Sequence, residues 1–189
     1  MRDGGVLRSL PSRDERRRDV CSARDRRSRV GASGIGVHVI EKLSLLVGSW
    51  VGEGHGGYPT VDDFTYREEI SFADTGKPFV AYSSCTWSLD EQRPLHAEHG
   101  YWRETPIGTI EAVLALSSGH TEIAVGTAEG GRLRLVSTNV DGSPTAKEVH
   151  AVRRFYDVED DALRYRLEME AVGQPLQWHL EAELRRSPD

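Results

Sequence analysis

The 189 residues carry 24 Lys and Arg against 30 Asp and Glu, a net charge of −6, with 38% hydrophobic content. That suits one ordinary core, or one domain with a tail, and an acidic body opposes phosphate-backbone binding. No stretch approaches the roughly 20 apolar residues of a membrane span, and the absence of CxxC and of a Cys/His cluster leaves a zinc site poorly supported.

Charge is unevenly placed along the chain. Residues 1–30 hold ten Arg and five Asp or Glu, so that segment is +5 and the remainder is −11. RDERRR, RDRRSR and GASGIG have almost no apolar periodicity, which predicts a disordered, solvated arm over residues 1–36. Arg runs also suit nucleic acid or an acidic membrane surface, but a mobile extension is the favoured reading. VHVIEKLSLLVG is interrupted by Glu41 and Lys42 and lacks a cleavage-like ending, so a secretory signal is not expected. The chain reads as soluble and cytoplasmic.

From Val37 the punctuation changes to that of an all-β domain spanning 37–189. A short apolar helix is predicted over Val37–Val47. Gly-X-Trp-X-Gly-X-Gly at 48–54 is poor helix material and a plausible opening strand, with the Trp closing one end of a core. Ten strands are predicted: 49–55, 64–73, 78–88, 95–104, 107–116, 120–127, 131–139, 147–158, 161–171 and 176–186. Breaks such as ADTGKP, LDEQRP, LSSGH, NVDGSPT and VGQP supply turn residues between them. Short strands in series without helical pattern predict a ten-stranded antiparallel up-and-down barrel, built like the lipocalins and fatty-acid-binding proteins.

Alternation is clearest in the ninth strand. Leu163, Tyr165, Leu167, Met169 and Ala171 fall on one face and Arg164, Arg166, Glu168 and Glu170 on the other, which points Met169 inward. Ten strands enclose more room than side chains fill, so an internal cavity is expected. In the fourth strand, HAEH puts His96 and Glu98 on one face and His99 on the other, and a dedicated metal site there is not expected. In the last strand the apolar set Leu176, Trp178, Leu180, Ala182 and Leu184 leaves His179 in phase with Gln177 and Glu181. On the pattern alone His179 is a surface histidine, and only a bulge or a rim position turns it inward.

Several blocks in order, including LLVGSWVGEGHGGYPTVDDFTYREEISF, TGKPFVAYSSCTW, PLHAEHGYWR, IEAVLALSSGHTEIAVGT, PTAKEV and AVGQPLQWHLEAEL, resemble the nitrobindins, a family of small haem-binding barrels. The resemblance implies haem b at the barrel mouth, one per subunit, with His179 as the axial iron ligand. It further implies that Thr60 lies close to the haem and that Lys147 pairs with a propionate. His96 and Met169 then line the cavity, with His96 the second candidate for the iron. Leu116, Met169 and Leu95 form an apolar wall facing the bound ligand.

The implied activity is isomerisation of peroxynitrite to nitrate on ferric haem, with reversible nitric oxide binding. The expected partners are those small molecules, with no membrane and no expected nucleic acid, and a homodimer is left open. The competing reading is a non-catalytic carrier of a fatty acid or other apolar ligand. Such carriers place Arg or Tyr inside to hold a carboxylate; Arg164 and Arg166 of the ninth strand fall on the wet face, and no clear inward Arg is read.

Overall fold

The computed structural model describes residues 41–90 and 92–188. The predicted arm over 1–36 lies outside them. The predicted helix is instead a 3₁₀ turn, Glu41–Leu46. Its Val37–Ile40 part also falls outside the described residues.

Ten strands follow in chain order. They are β1 (Gly48–Tyr58), β2 (Val61–Lys77), β3 (Phe79–Ser88), β4 (Pro94–Glu104), β5 (Ile110–Leu116), β6 (His120–Glu129), β7 (Arg132–Gly142), β8 (Val149–Glu159), β9 (Ala162–Ala171) and β10 (Gln174–Arg186). Each pairs antiparallel with its sequence neighbour, and β10 returns to β1, which closes the barrel. The ten-stranded up-and-down architecture is therefore the one the turn punctuation predicts. The largest departure is at strand two, which runs Val61–Lys77 rather than 64–73, and strand five starts at Ile110 rather than 107. Thr105 and Thr109 bind each other through backbone and hydroxyl groups, so Ile107 sits at the tip of a turn, 87% exposed.

The two ends of the barrel differ. At the end where β1 begins, Leu43 and Leu46 of the 3₁₀ turn are fully buried under Trp50. The Trp50 indole N–H donates to the Leu46 carbonyl (2.8 Å), and the Arg186 guanidinium lies 4.1 Å from the indole ring centre. Phe72, Trp102, Ile110, Leu163 and Leu184 complete this plug, with Phe72 and Trp102 in perpendicular ring contact at 5.3 Å. The Trp of the opening motif therefore does close one end.

The glycines of that motif allow close approach. A Cβ on Gly52 would lie 2.1 Å from the Glu183 carbonyl across the β1–β10 seam, and one on Gly54 would lie 2.6 Å from the Tyr66 hydroxyl. The opposite end, where β1 turns into β2 and β9 into β10, is not plugged. It opens on a cavity.

Candidate functional site

His179 owes its position to an irregularity in β10. Trp178 pairs with Glu168 and Leu180 with Leu167, so His179 is an extra residue with no partner on β9. On the other flank, β1 is irregular between Gly56 and Tyr58. The bulge changes the phase of the strand. Beyond it Leu180, Ala182 and Leu184 face inward, and His179 faces inward with them, while Trp178 packs outside against His55 at 5.5 Å between ring centres. The simple alternation, which groups Trp178 with the core and His179 with the wet face, is thereby corrected.

The imidazole is held on several sides. Its Nδ1–H donates to the Gly57 carbonyl (3.1 Å), the oxygen on the unpaired side of the β1 irregularity. A carbonyl only accepts, so Nδ1 carries the proton and Nε2 keeps its lone pair. The Tyr58 and Phe64 rings meet the imidazole edge-on, at 5.3 and 6.5 Å between centres. Tyr58 is itself tied to β9 by its hydroxyl, which accepts from the Ala171 N–H (3.0 Å) and reaches the Met169 carbonyl (3.1 Å). Burial lowers the imidazole pKa, opposed in part by the bond to Gly57. The ring is a neutral, oriented nitrogen donor.

His179 faces a cavity of about 830 Å³. Thr60, His96, Leu116, Lys147 and Met169 line the same cavity, as does Leu95. All seven residues singled out from the sequence thus converge on one space, although they come from six different segments. Thr60 lies in the β1–β2 turn and Lys147 in the β7–β8 loop, both at the open end. His120, which the sequence reading did not single out, braces that loop: its Nε2 lies 2.8 Å from the Lys147 carbonyl and its Nδ1 3.0 Å from Ser118 Oγ. His96 is set between Ser117 Oγ and Glu98 Oε1, each at 3.3 Å. His99 points away and is exposed.

Below this mouth, beside the apolar residues, the wall carries buried charge. Arg154 of β8 is inward and 3% exposed, so the reading that found no clear inward Arg is corrected. Its guanidinium binds Glu98 through two nitrogens (2.9 and 3.0 Å) and Glu122 through two (2.7 to 3.2 Å). Tyr82 donates to Glu98 (3.1 Å). Burial by itself would raise the Glu98 pKa, but the adjacent Arg154 charge and His96 outweigh it and hold the carboxyl well below its ordinary range. The signal was present in β8, where Arg154 shares a face with Val152 and Tyr156. Glu98 and Glu122 sit likewise on the inward faces of β4 and β6.

A second buried carboxylate has no arginine. Glu68 is 3% exposed and accepts from Ser84 Oγ and from the Tyr165 hydroxyl, both at 2.6 Å. Burial raises its pKa from the ordinary 4.5 to about 7. The folded state therefore binds this proton more tightly than the unfolded chain. The associated stability is fully present below about 4.5 and is lost as pH rises through about 7. On the order of 3 kcal/mol is at stake, at about 1.4 kcal/mol per tenfold change in proton affinity. Denaturant titrations from pH 5 to 8 are expected to show wild-type stability falling relative to Glu68→Gln. A constant difference across that range would contradict this assignment.

Known proteins bear on what this arrangement belongs to. A family model described as the THAP4-like, heme-binding beta-barrel domain matches residues 39–186. This chain belongs to that family, the nitrobindins. Among its curated relatives, peroxynitrite isomerase 1 of Mycobacterium tuberculosis strain H37Rv is 50% identical over 154 residues, covering 78% of this chain and 94% of that protein. Peroxynitrite isomerase 2 of Mycobacterium marinum is 48% identical over 151 residues, with the same coverage. The crystal structure of Rv2717c from M. tuberculosis superposes with a TM-score of 0.74 at 46% identity, covering 79% of this chain and 97% of that one. The family model spans the ten strands and leaves out the Arg-rich segment of the sequence.

Proposed function

We propose that this nitrobindin is a ferric haem b protein, one haem per chain, that isomerises peroxynitrite to nitrate and binds nitric oxide reversibly in the cytoplasm. The observation that carries the reading is His179 on its bulge, with Nδ1 committed to Gly57 and Nε2 free toward the cavity. A neutral imidazole with one nitrogen anchored to a carbonyl is what an iron-ligating histidine requires. When bound there, haem supplies an iron with one position left for a small anion or diatomic.

The remaining roles belong to side chains. Lys147 and Thr60 at the rim face the propionate edge, Lys147 as the cation and Thr60 as the hydroxyl donor. Leu95, Leu116 and Met169 would exclude water from the part of the cavity where the anion reacts. His96 offers the second imidazole of the cavity. The isomerisation moves an oxygen atom within one anion and needs no strong acid or base. The carrier reading is disfavoured because Arg154, the buried cation that would hold a carboxylate, is saturated by Glu98 and Glu122. The reading is the same for a monomer or a homodimer.

Stopped-flow decay of peroxynitrite, measured beside nitrate yield and nitration of free tyrosine, tests the activity. The hemin-loaded protein is expected to speed decay, shift the products to nitrate and protect the tyrosine, and the haem-free protein to do none of these. Decay no faster than in buffer would leave a haem or nitric oxide carrier and no enzyme.

A further inference from the structure

Two tyrosines meet inside the barrel beside Glu68. The Tyr66 and Tyr165 hydroxyl oxygens are 2.6 Å apart, and Tyr165 donates its own proton to Glu68 Oε2. With the Tyr165 proton committed, Tyr66 is the donor of the shared contact, its hydroxyl also lying 3.3 Å from the Glu181 carbonyl. Gly54 leaves the space in which the Tyr66 hydroxyl sits.

The other tyrosines lack this combination. Tyr82 donates to Glu98, but that carboxylate is clamped by Arg154 and is a poor proton acceptor. Tyr156 lies beside the Arg154 cation, Tyr58 is bonded to backbone, and Tyr101 is outside the barrel and 56% exposed. Of the six tyrosines, Tyr165 is the one whose phenolic proton already rests against a carboxylate without an arginine. A phenol gives up an electron readily only when its proton leaves in the same event, so this pairing decides which ring is oxidised.

We propose that Tyr165 is a redox-active, nitratable side chain that loses one electron to an oxidant entering the barrel while passing its phenolic proton to Glu68. The oxidant is nitrogen dioxide, the radical released when the O–O bond of peroxynitrous acid breaks. Nitrogen dioxide takes the electron and becomes nitrite, the Tyr165 phenol becomes a phenoxyl radical, and the Glu68 carboxylate becomes a carboxylic acid. Charge, protons and electrons balance with no further reactant. A second nitrogen dioxide adding to the ring leaves 3-nitrotyrosine after loss of the ring proton. The chemistry of Tyr165 stands by itself; its use, capturing radical that escapes isomerisation, rests on the peroxynitrite reading.

Onward transfer of the hole to Trp102 is disfavoured. Tyr156 lies 5.7 Å from Tyr165 and Trp102 5.3 Å from Tyr156 between ring centres, but the buried Trp102 indole N–H has no hydrogen-bond partner among the described residues. No base waits there to take its proton. Glu68 itself is faced by Tyr82 and Ser84 of β3, His96 and Glu98 of β4, Tyr156 of β8 and Tyr165 of β9. Its carboxyl, raised to about 7 by burial, is already protonated at lower pH, so the radical yield is expected to rise from pH 6 to 8.

The test is pulse-radiolytic generation of nitrogen dioxide with the full-length haem-free chain, read as phenoxyl absorbance and as nitrotyrosine mapped by peptide mass spectrometry. Modification is expected at Tyr165 as well as at exposed Tyr101. Tyr165→Phe should remove the buried signal, and Tyr82→Phe should leave it intact. Glu68→Gln should slow Tyr165 oxidation about a hundredfold, the lower range for a positioned base, and abolish its pH dependence without altering Tyr101. Modification confined to Tyr101, equal loss with Tyr82→Phe, or no effect of Glu68→Gln would overturn the proposal. Repeating the mapping with hemin-loaded protein and peroxynitrite separates the two readings. Tyr165 labelling by nitrogen dioxide without accelerated peroxynitrite decay would remove the enzyme and leave the redox-active tyrosine.

Discussion

His179→Ala, mixed with hemin, is expected to show little or none of the Soret band of the bound wild-type protein while keeping the circular dichroism of a closed barrel. The imidazole makes one hydrogen bond, to Gly57, and packs against Tyr58 and Phe64 at the open end, far from the Trp50 plug. Its loss removes a donor to the iron without removing core. The expected fall in hemin affinity is about a hundredfold or more, because even the outer partners of metal-bound histidines are worth about 10- to 100-fold. Spectrophotometric titration measures it. Unchanged affinity and spectrum would move the axial role to His96, since the third imidazole lining this cavity, His120, has both ring nitrogens committed to Ser118 and the Lys147 carbonyl.

The largest stability effect is expected at Arg154, which lines the deeper part of the same cavity. Arg154→Met strands Glu98 and Glu122, 6% and 1% exposed, without their counter-charge. Breaking a buried ion pair from one side costs about 3–5 kcal/mol, a large fraction of the 5–15 kcal/mol typical of a domain. Replacing all three with apolar residues of similar size should recover much of that loss. Chemical denaturation of the single and triple variants measures both.

The pair also sets the acid limb. The Glu98 carboxyl is held below its ordinary value in the folded state, so its contribution is complete above about 4.5 and is lost as pH falls. That limb should flatten in Arg154→Met. A variant as stable as wild type at pH 7 would show that the carboxylates find other partners or water.

Most of the barrel was legible because each hairpin carries its own turn chemistry, and turns are local. The exception at Ile107 is also local: the Thr105–Thr109 turn looks in sequence like the start of a strand with an apolar residue. The candidate site was legible to a different degree. Neither the inward turn of His179 nor the Glu98–Arg154–Glu122 cluster is local, since one depends on pairing with β9 and the other joins β4, β6 and β8. Alternation put Arg154 in phase with Val152 and Tyr156, but nothing within β8 says which carboxylates wait across the barrel. Residues 1–36 were read from composition and lie outside the described structure.

The bulge at His179 makes the site depend on counting as well as on chemistry. From Leu184 back to Leu180 the strand keeps strict two-residue parity, and the supernumerary residue at His179 resets it; a second register shift lies between Gln174 and Gln177, before the turn at Val172 and Gly173. Deletion of Trp178, which would bring His179 into register with Glu168, would leave the barrel closed and the histidine present, yet carry its ring to the outer surface. Relatives that keep a histidine in an aligned last strand therefore keep the site only if they also keep the odd residue.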